Sequence, residues 1–169
     1  TGYVTQNFSE WGSFPLMYFL ILMFIGGCAG STACGIKIFR VQILYQFISN
    51  QLKKIIYPRG IFNIKYEKNN IDEKFMASII SFIFLYILIF FIITALLSID
   101  SLDFITAISA AATSISNVGP GLGEIIGPNG NFSELSAFSK WILSFSMILG
   151  RLELFAVLVL FIPSFWRKY

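Results

Sequence analysis

The groups from which this chain could build chemistry are few, and most of them are backbone. GGCAGSTACG at residues 26–35 places four glycines, a serine and a threonine inside an otherwise apolar stretch. SNVGPGLG at residues 116–123 is a second glycine-rich run, and Arg151 stands near the middle of a third apolar stretch. The 169 residues contain no histidine, which excludes a His-based catalytic triad and a Cys/His zinc site within the chain. Lys37 follows Ile36, so the first run is not a phosphate-cradling loop ending in Gly-Lys-Ser/Thr. No nucleophile–base pair or metal-ligand cluster occurs, and Cys28 and Cys34 read as small packing residues. The chain is therefore not expected to be an enzyme or to carry a covalent cofactor. What remains is coordination by peptide carbonyls, which suits a dehydrated alkali cation.

Such groups must be positioned by membrane-embedded elements. The chain is 56% hydrophobic and only 12% charged, with a mean hydropathy of +0.76, whereas a soluble domain needs roughly 25% charged residues. Residues 16–47 are apolar but broken by the 26–35 run, and residues 75–98 form one continuous span. Residues 103–116 make a helix too short to cross, and residues 136–166 a final crossing, given that about 20 residues are needed. Lys37, Arg40, Lys53, Lys54, Arg59, Lys65, Lys68, Lys74, Arg167 and Lys168 all fall on one side, which the positive-inside rule makes cytoplasmic. Glu10, Asp100, Asp103, Glu124 and Glu134 fall on the other. The expected class is an all-α, multi-pass integral membrane protein of the cell membrane. Its three parts are residues 1–50, a basic cytoplasmic link at 51–74, and 75–169.

The short helix enters from the outer side and returns through an extended loop at residues 117–123. Lipid tolerates no bare backbone, so this loop lies inside protein or lines a watery cavity. A short re-entrant helix with a glycine-rich return describes the pore helix and filter of a cation pathway, the helix turning its negative end toward the cation. The other reading is a buried extracellular hairpin with no ion.

NFSE occurs at residues 7–10 and again at 131–134. Aligned at an offset of 124, Asn7, Phe8, Ser9, Glu10, Phe14, Met23 and Gly26 match Asn131, Phe132, Ser133, Glu134, Phe138, Met147 and Gly150. This marks an internal repeat. Ser9 and Ser133 are expected to cap the helices that follow, with the glutamates in the first turn; the match of each Asn-Phe-Ser to a glycosylation sequon is taken as coincidence. By analogy with NVGPG before the second copy, Thr1, Gly2 and Tyr3 read as the remnant of a preceding filter loop. The chain is thus expected to hold the last half of one unit and the whole of another, as a fragment of a longer product. Gly27 and Arg151 follow the aligned glycines. One repeat unwinds where the other carries a charge that costs at least about 2.5–3.5 kcal/mol in lipid. Arg151 and the 26–35 loop are therefore expected to face each other across a pore, forming a constriction. Two other readings stay open: close helix packing through small residues for Gly26 and Gly30, and a structural ion pair for Arg151.

GGCAGSTACGIKIFR, NVGPGLG and MILGRLELF, in that order, resemble the C-terminal part of the Trk/Ktr/HKT superfamily of potassium-uptake proteins, most of all its bacterial TrkH branch. The resemblance covers essentially all 169 residues. It implies four span–pore–span units around one pore, and ion-binding carbonyls at Thr1, Gly2, Tyr3, Asn117, Val118 and Gly119. It also implies a gating loop containing Gly26, Gly27, Gly30, Ser31, Thr32 and Gly35, with Arg151 beneath the filter. As partners it implies the lipid bilayer, the remaining N-terminal half, a second copy in a homodimer, and a cytosolic nucleotide-binding regulatory subunit. That subunit would dock on Lys53, Lys54, Tyr57 and Arg59; the alternative for these basic residues is contact with anionic lipid heads. No nucleic acid is expected. K⁺ would be the transported ion, with a Na⁺-permeable or Na⁺-coupled member, a secondary transporter of another solute, and a non-conducting assembly segment as alternatives.

Overall fold

The longest apolar run makes the longest helix. In the computed structural model, which describes residues 3–60, 62–66, 69–100, 102–152 and 154–166, helix α3 spans Glu73–Ile99. It is the one helix among the described residues that is by itself long and apolar enough to cross a membrane. Ahead of it lie α1 (Ser13–Phe24) and α2 (Ile38–Ile56), then a two-stranded antiparallel hairpin, β1 (Lys65–Tyr66) with β2 (Asn69–Asn70). After it come α4 (Phe104–Ser116), α5 (Ala137–Arg151), α6 (Leu154–Leu160) and α7 (Pro163–Trp166).

The core forms around α4. Every residue from Ala110 to Ser116 is buried, and Ala107, Ala110, Ala111 and Ala112 are fully so. Small side chains let α3, α5 and α1 close on this helix from three sides. Phe24, at the end of α1, meets Phe90 and Tyr86 of α3 edge-on at 5.0 and 6.2 Å. A smaller cluster of Ile43, Met76 and Ile79 joins α2 to the start of α3. Large apolar side chains face outward along α3 and α5, among them Phe84, Phe91, Trp141 and Phe145.

Two expectations change. The NFSE turns are capped by asparagine, not serine: the side chain of Asn7 accepts from Ser9 N at 3.2 Å, and that of Asn131 from Ser133 N at 2.9 Å. Each opens a short 3₁₀ turn, Phe8–Trp11 and Phe132–Glu134, and the long helices begin only afterward. An asparagine carbonyl two residues ahead closes an Asx turn that a serine within the turn cannot. Second, residues 136–166 are not one rod. Helices α5 and α6 meet at 111°, so this apolar stretch is broken, as the earlier one is between α1 and α2.

Candidate functional site

The glycine-rich turn after α4 is built from that helix's own hydroxyls. Asn117 closes α4 in the left-handed conformation (φ 52°, ψ 44°), which a short polar side chain tolerates best after glycine. Its side chain donates to the Met147 carbonyl of α5 at 3.0 Å. The next two N–H groups turn inward: Val118 N donates to Thr113 O at 3.0 Å, and Gly119 N to Thr113 Oγ1 at 2.9 Å. Gly119 has φ +121°, a conformation that disfavours any side chain. Ser109 Oγ accepts from Leu122 N at 3.0 Å and donates to Leu122 O at 3.2 Å, fastening the far side of the loop. Among the described residues, no hydrogen bond ends on the carbonyls of Asn117, Val118 or Gly119. Donors are consumed inside while acceptors stay bare, beside the negative end of a helix dipole.

The broken helix supplies the second feature. Between α1 and α2, residues 25–37 form a loop with a tied neck. Gly26 N donates to Ile36 O (3.0 Å), Ile36 N to Phe24 O (2.9 Å), and Ile38 N to Gly27 O (3.2 Å). Its apex is folded on itself, Ser31 Oγ donating to Cys28 O at 2.8 Å. Arg151 reaches this apex from the end of α5: Nη1 donates to Thr32 O at 2.6 Å and lies 3.8 Å from Cys34 Sγ. Beneath them is a cavity of about 250 Å³, lined by residues that include Thr32, Cys34, Lys37, Arg40, Tyr86 and Arg151. Arg40 stacks over the Phe82 ring at 3.7 Å, and Tyr86 OH bonds Ser116 Oγ at 2.7 Å.

Both features meet at α5. A side chain on Gly150 would strike the Ile115 carbonyl, so the last turn of α4 rests on the residue just before Arg151. The structure thus brings Asn117 next to Met147 and Gly150 of α5, and Arg151 to Thr32. It leaves Lys53, Lys54, Tyr57 and Arg59 together at the far, exposed end of α2 and just beyond it. Tyr3 is 95% exposed, while Thr1, Gly2 and Glu153 lie outside the described residues. Thr113 and Ser109 escaped the sequence reading, and Lys37 was read there only as a cytoplasmic-side charge. The only signal for the first two was hydroxyl-bearing residues recurring in a helix otherwise made of alanine, isoleucine and one phenylalanine.

At the outer end, Asp100 Oδ2 accepts from Ser139 Oγ at 2.6 Å and from Ser136 Oγ, joining α3 to α5. Those two hydroxyls hold the Asp100 carboxyl below the usual carboxylate range.

Residues 1–168 match the family model described as TrkH, cation transport protein. The chain is 43% identical over 99% of its length to the Trk system potassium uptake protein TrkI of Halomonas elongata. It is 34% identical, again over 99%, to the Trk system potassium uptake protein TrkH of Escherichia coli. It covers 34% of each of those proteins, so it spans about a third of the length of these relatives. The crystal structure of the potassium transporter TrkH from Vibrio parahaemolyticus superposes with a TM-score of 0.88 at 35% identity, over 98% of this chain and 35% of that one.

Proposed function

The chain belongs to the TrkH family of cation transport proteins, and from that premise we propose that it forms part of a gated, membrane-embedded potassium-uptake pathway. The observation that carries the reading is the 117–119 turn. Its N–H groups are spent on Thr113 and Ser114 of α4, and among the described residues no hydrogen bond ends on its three carbonyls. Replacing the hydration shell of K⁺ requires carbonyls from all sides. In this reading α3, α4, the 117–123 loop and α5 are one complete repeat, while Tyr3 to Phe24 and the loop beyond belong to another. The rest of the ring comes from the longer protein, and the apolar outer faces of α3 and α5 meet lipid or neighbouring helices.

Loop 25–37 acts as the gate, and Arg151 holds it shut while placing a positive charge beneath the filter. The named role of the relatives in potassium uptake supports K⁺ as cargo. The exposed basic end of α2, with Lys53, Lys54, Tyr57 and Arg59, is the surface for a cytosolic regulatory partner, and the whole protein works as a homodimer. The test is isotope-flux measurement of K⁺ uptake by the full-length protein in a K⁺-dependent strain, with and without Gly119→Ser. Loss of K⁺ selectivity in the variant is the expected result. Unaltered uptake and selectivity at equal surface expression would remove Gly119 from the filter.

A further inference from the structure

The broken-helix loop is held by a second cation, which belongs to the helix that follows it. Lys37 Nζ lies 3.3 Å from the Ala29 carbonyl oxygen. Lys37 is also the N-cap residue of α2, extended at φ −60° and ψ 142°. A positive charge beside a helix N-terminus opposes the helix dipole, so α2's own stability does not explain a lysine there. What it does accomplish is visible at the apex of the loop. The carbonyls of Cys28, Ala29 and Thr32 are engaged in turn by Ser31, Lys37 and Arg151. The neck bonds fix the loop's base, and at the apex these side chains add to a backbone bond from Ser31 N to Cys28 O at 3.1 Å.

The two cations differ in what carries them. Arg151 ends α5 in the neighbouring repeat, whereas Lys37 is continuous with α2. That helix has 19 residues, about 28 Å at 1.5 Å per residue, and it ends at Lys53, Lys54 and the exposed Tyr57. Within its first two turns, Ile43 is fully buried against Met76 and Ile79, and one turn from Lys37 the Arg40 guanidinium sits over Phe82. These contacts form a fulcrum on α3. We propose that Lys37 is a positioning residue through which α2 holds the loop closed. A rotation of α2 about its contacts with α3 withdraws the ammonium from Ala29 and frees the apex. The inference rests on loop 25–37 being the gate, as read above.

The experiment uses the full-length protein in liposomes, comparing resting K⁺ flux for wild type, Lys37→Met and Lys37→Arg. Each is made with the loop intact and with residues 28–33 deleted. In parallel, with Cys34→Ser, the rate at which a maleimide modifies the exposed Cys28 reports apex mobility without reference to conduction. Lys37→Met is expected to raise both flux and labelling rate by about three- to tenfold, the range for one ordinary hydrogen bond, since the 3.3 Å contact is long and exposed. Lys37→Arg restores both, and the loop-deleted protein shows no further rise with Lys37→Met. A tight pore after loop deletion would overturn the gate reading, and this inference with it. A leaky loop deletion alongside unchanged flux and labelling in Lys37→Met would overturn this inference alone. So would failure of Lys37→Arg to rescue.

Discussion

Gly150 of α5 lies so close to the carbonyl of Ile115 in α4 that no Cβ fits between them. The obstacle is the Ile115 peptide backbone, which cannot swing aside as a side chain would. Gly150→Ala must therefore part the two helices. Overpacking of this kind typically costs about 1–3 kcal/mol, and the upper end is expected here. Thermal unfolding of the full-length protein in detergent should show the loss, accompanied by reduced K⁺ uptake. An unshifted melting curve would mean that α4 and α5 stand farther apart.

The turn at 117–119 depends on one hydroxyl. Thr113→Val keeps the shape of the side chain but removes the acceptor from Gly119 N, which leaves a peptide donor unpaired at a cost of about 1–3 kcal/mol. The backbone will rotate to find another partner, carrying the bare carbonyls with it. K⁺-over-Na⁺ preference should fall in flux assays, and Thr113→Ser, which retains the oxygen, should preserve it. Equal selectivity in the valine and serine variants would show that the turn holds itself.

These dependences were only partly legible beforehand. The α3 crossing could be read directly, because residues 75–97 are apolar on every face and nothing interrupts them. The short helix α4 (Phe104–Ser116) was legible from the short apolar run and the glycines after it. The repeat carried the most, since pairing Gly26 with Gly150 set Arg151 against the loop although 119 residues separate it from Thr32. Thr113 was invisible because its bond exists only once Asn117 turns left-handed, a state that non-glycine residues rarely adopt. The α5–α6 bend was hidden for the opposite reason. The sequence stays apolar through residues 154–160 with no proline at the corner, and Gly150 lies within the last turn of α5, so apolar length alone read as one crossing.

Asp100 gives the outer end a pH dependence of known sign. Its carboxyl is held below its ordinary value by Ser136 and Ser139. A carboxylate depressed in the folded state contributes stability above its unfolded pKa, about 3.9, and loses it as pH falls through the folded value. Asp100→Asn should therefore melt at lower temperature than wild type at pH 7, with the gap closing only below about pH 4. A gap of constant size across that window would show that the hydroxyls do not distinguish carboxylate from amide.

Arg151 performs two tasks that can be separated by chemistry. As a donor to Thr32 O at 2.6 Å it ties the loop to α5; in the proposed reading it is also a guanidinium beneath the filter that repels a permeating cation. Arg151→Ala abolishes both, so resting K⁺ flux through the full-length protein should rise. Arg151→Gln removes the charge but keeps an N–H donor on a shorter side chain. If fastening dominates, the glutamine variant leaks less than alanine, and loop deletion in either variant brings them level. If repulsion dominates, glutamine and alanine leak alike, because a unit charge about 4 Å from the ion's path is worth on the order of 4 kcal/mol at an effective dielectric of 20. The first outcome is expected, since the carbonyl contact is short and the cavity beside it also holds Lys37 and Arg40, so positive charge persists there after Arg151 is gone. Flux in Arg151→Ala at or below the wild-type level, at equal surface expression, would deny the residue either task.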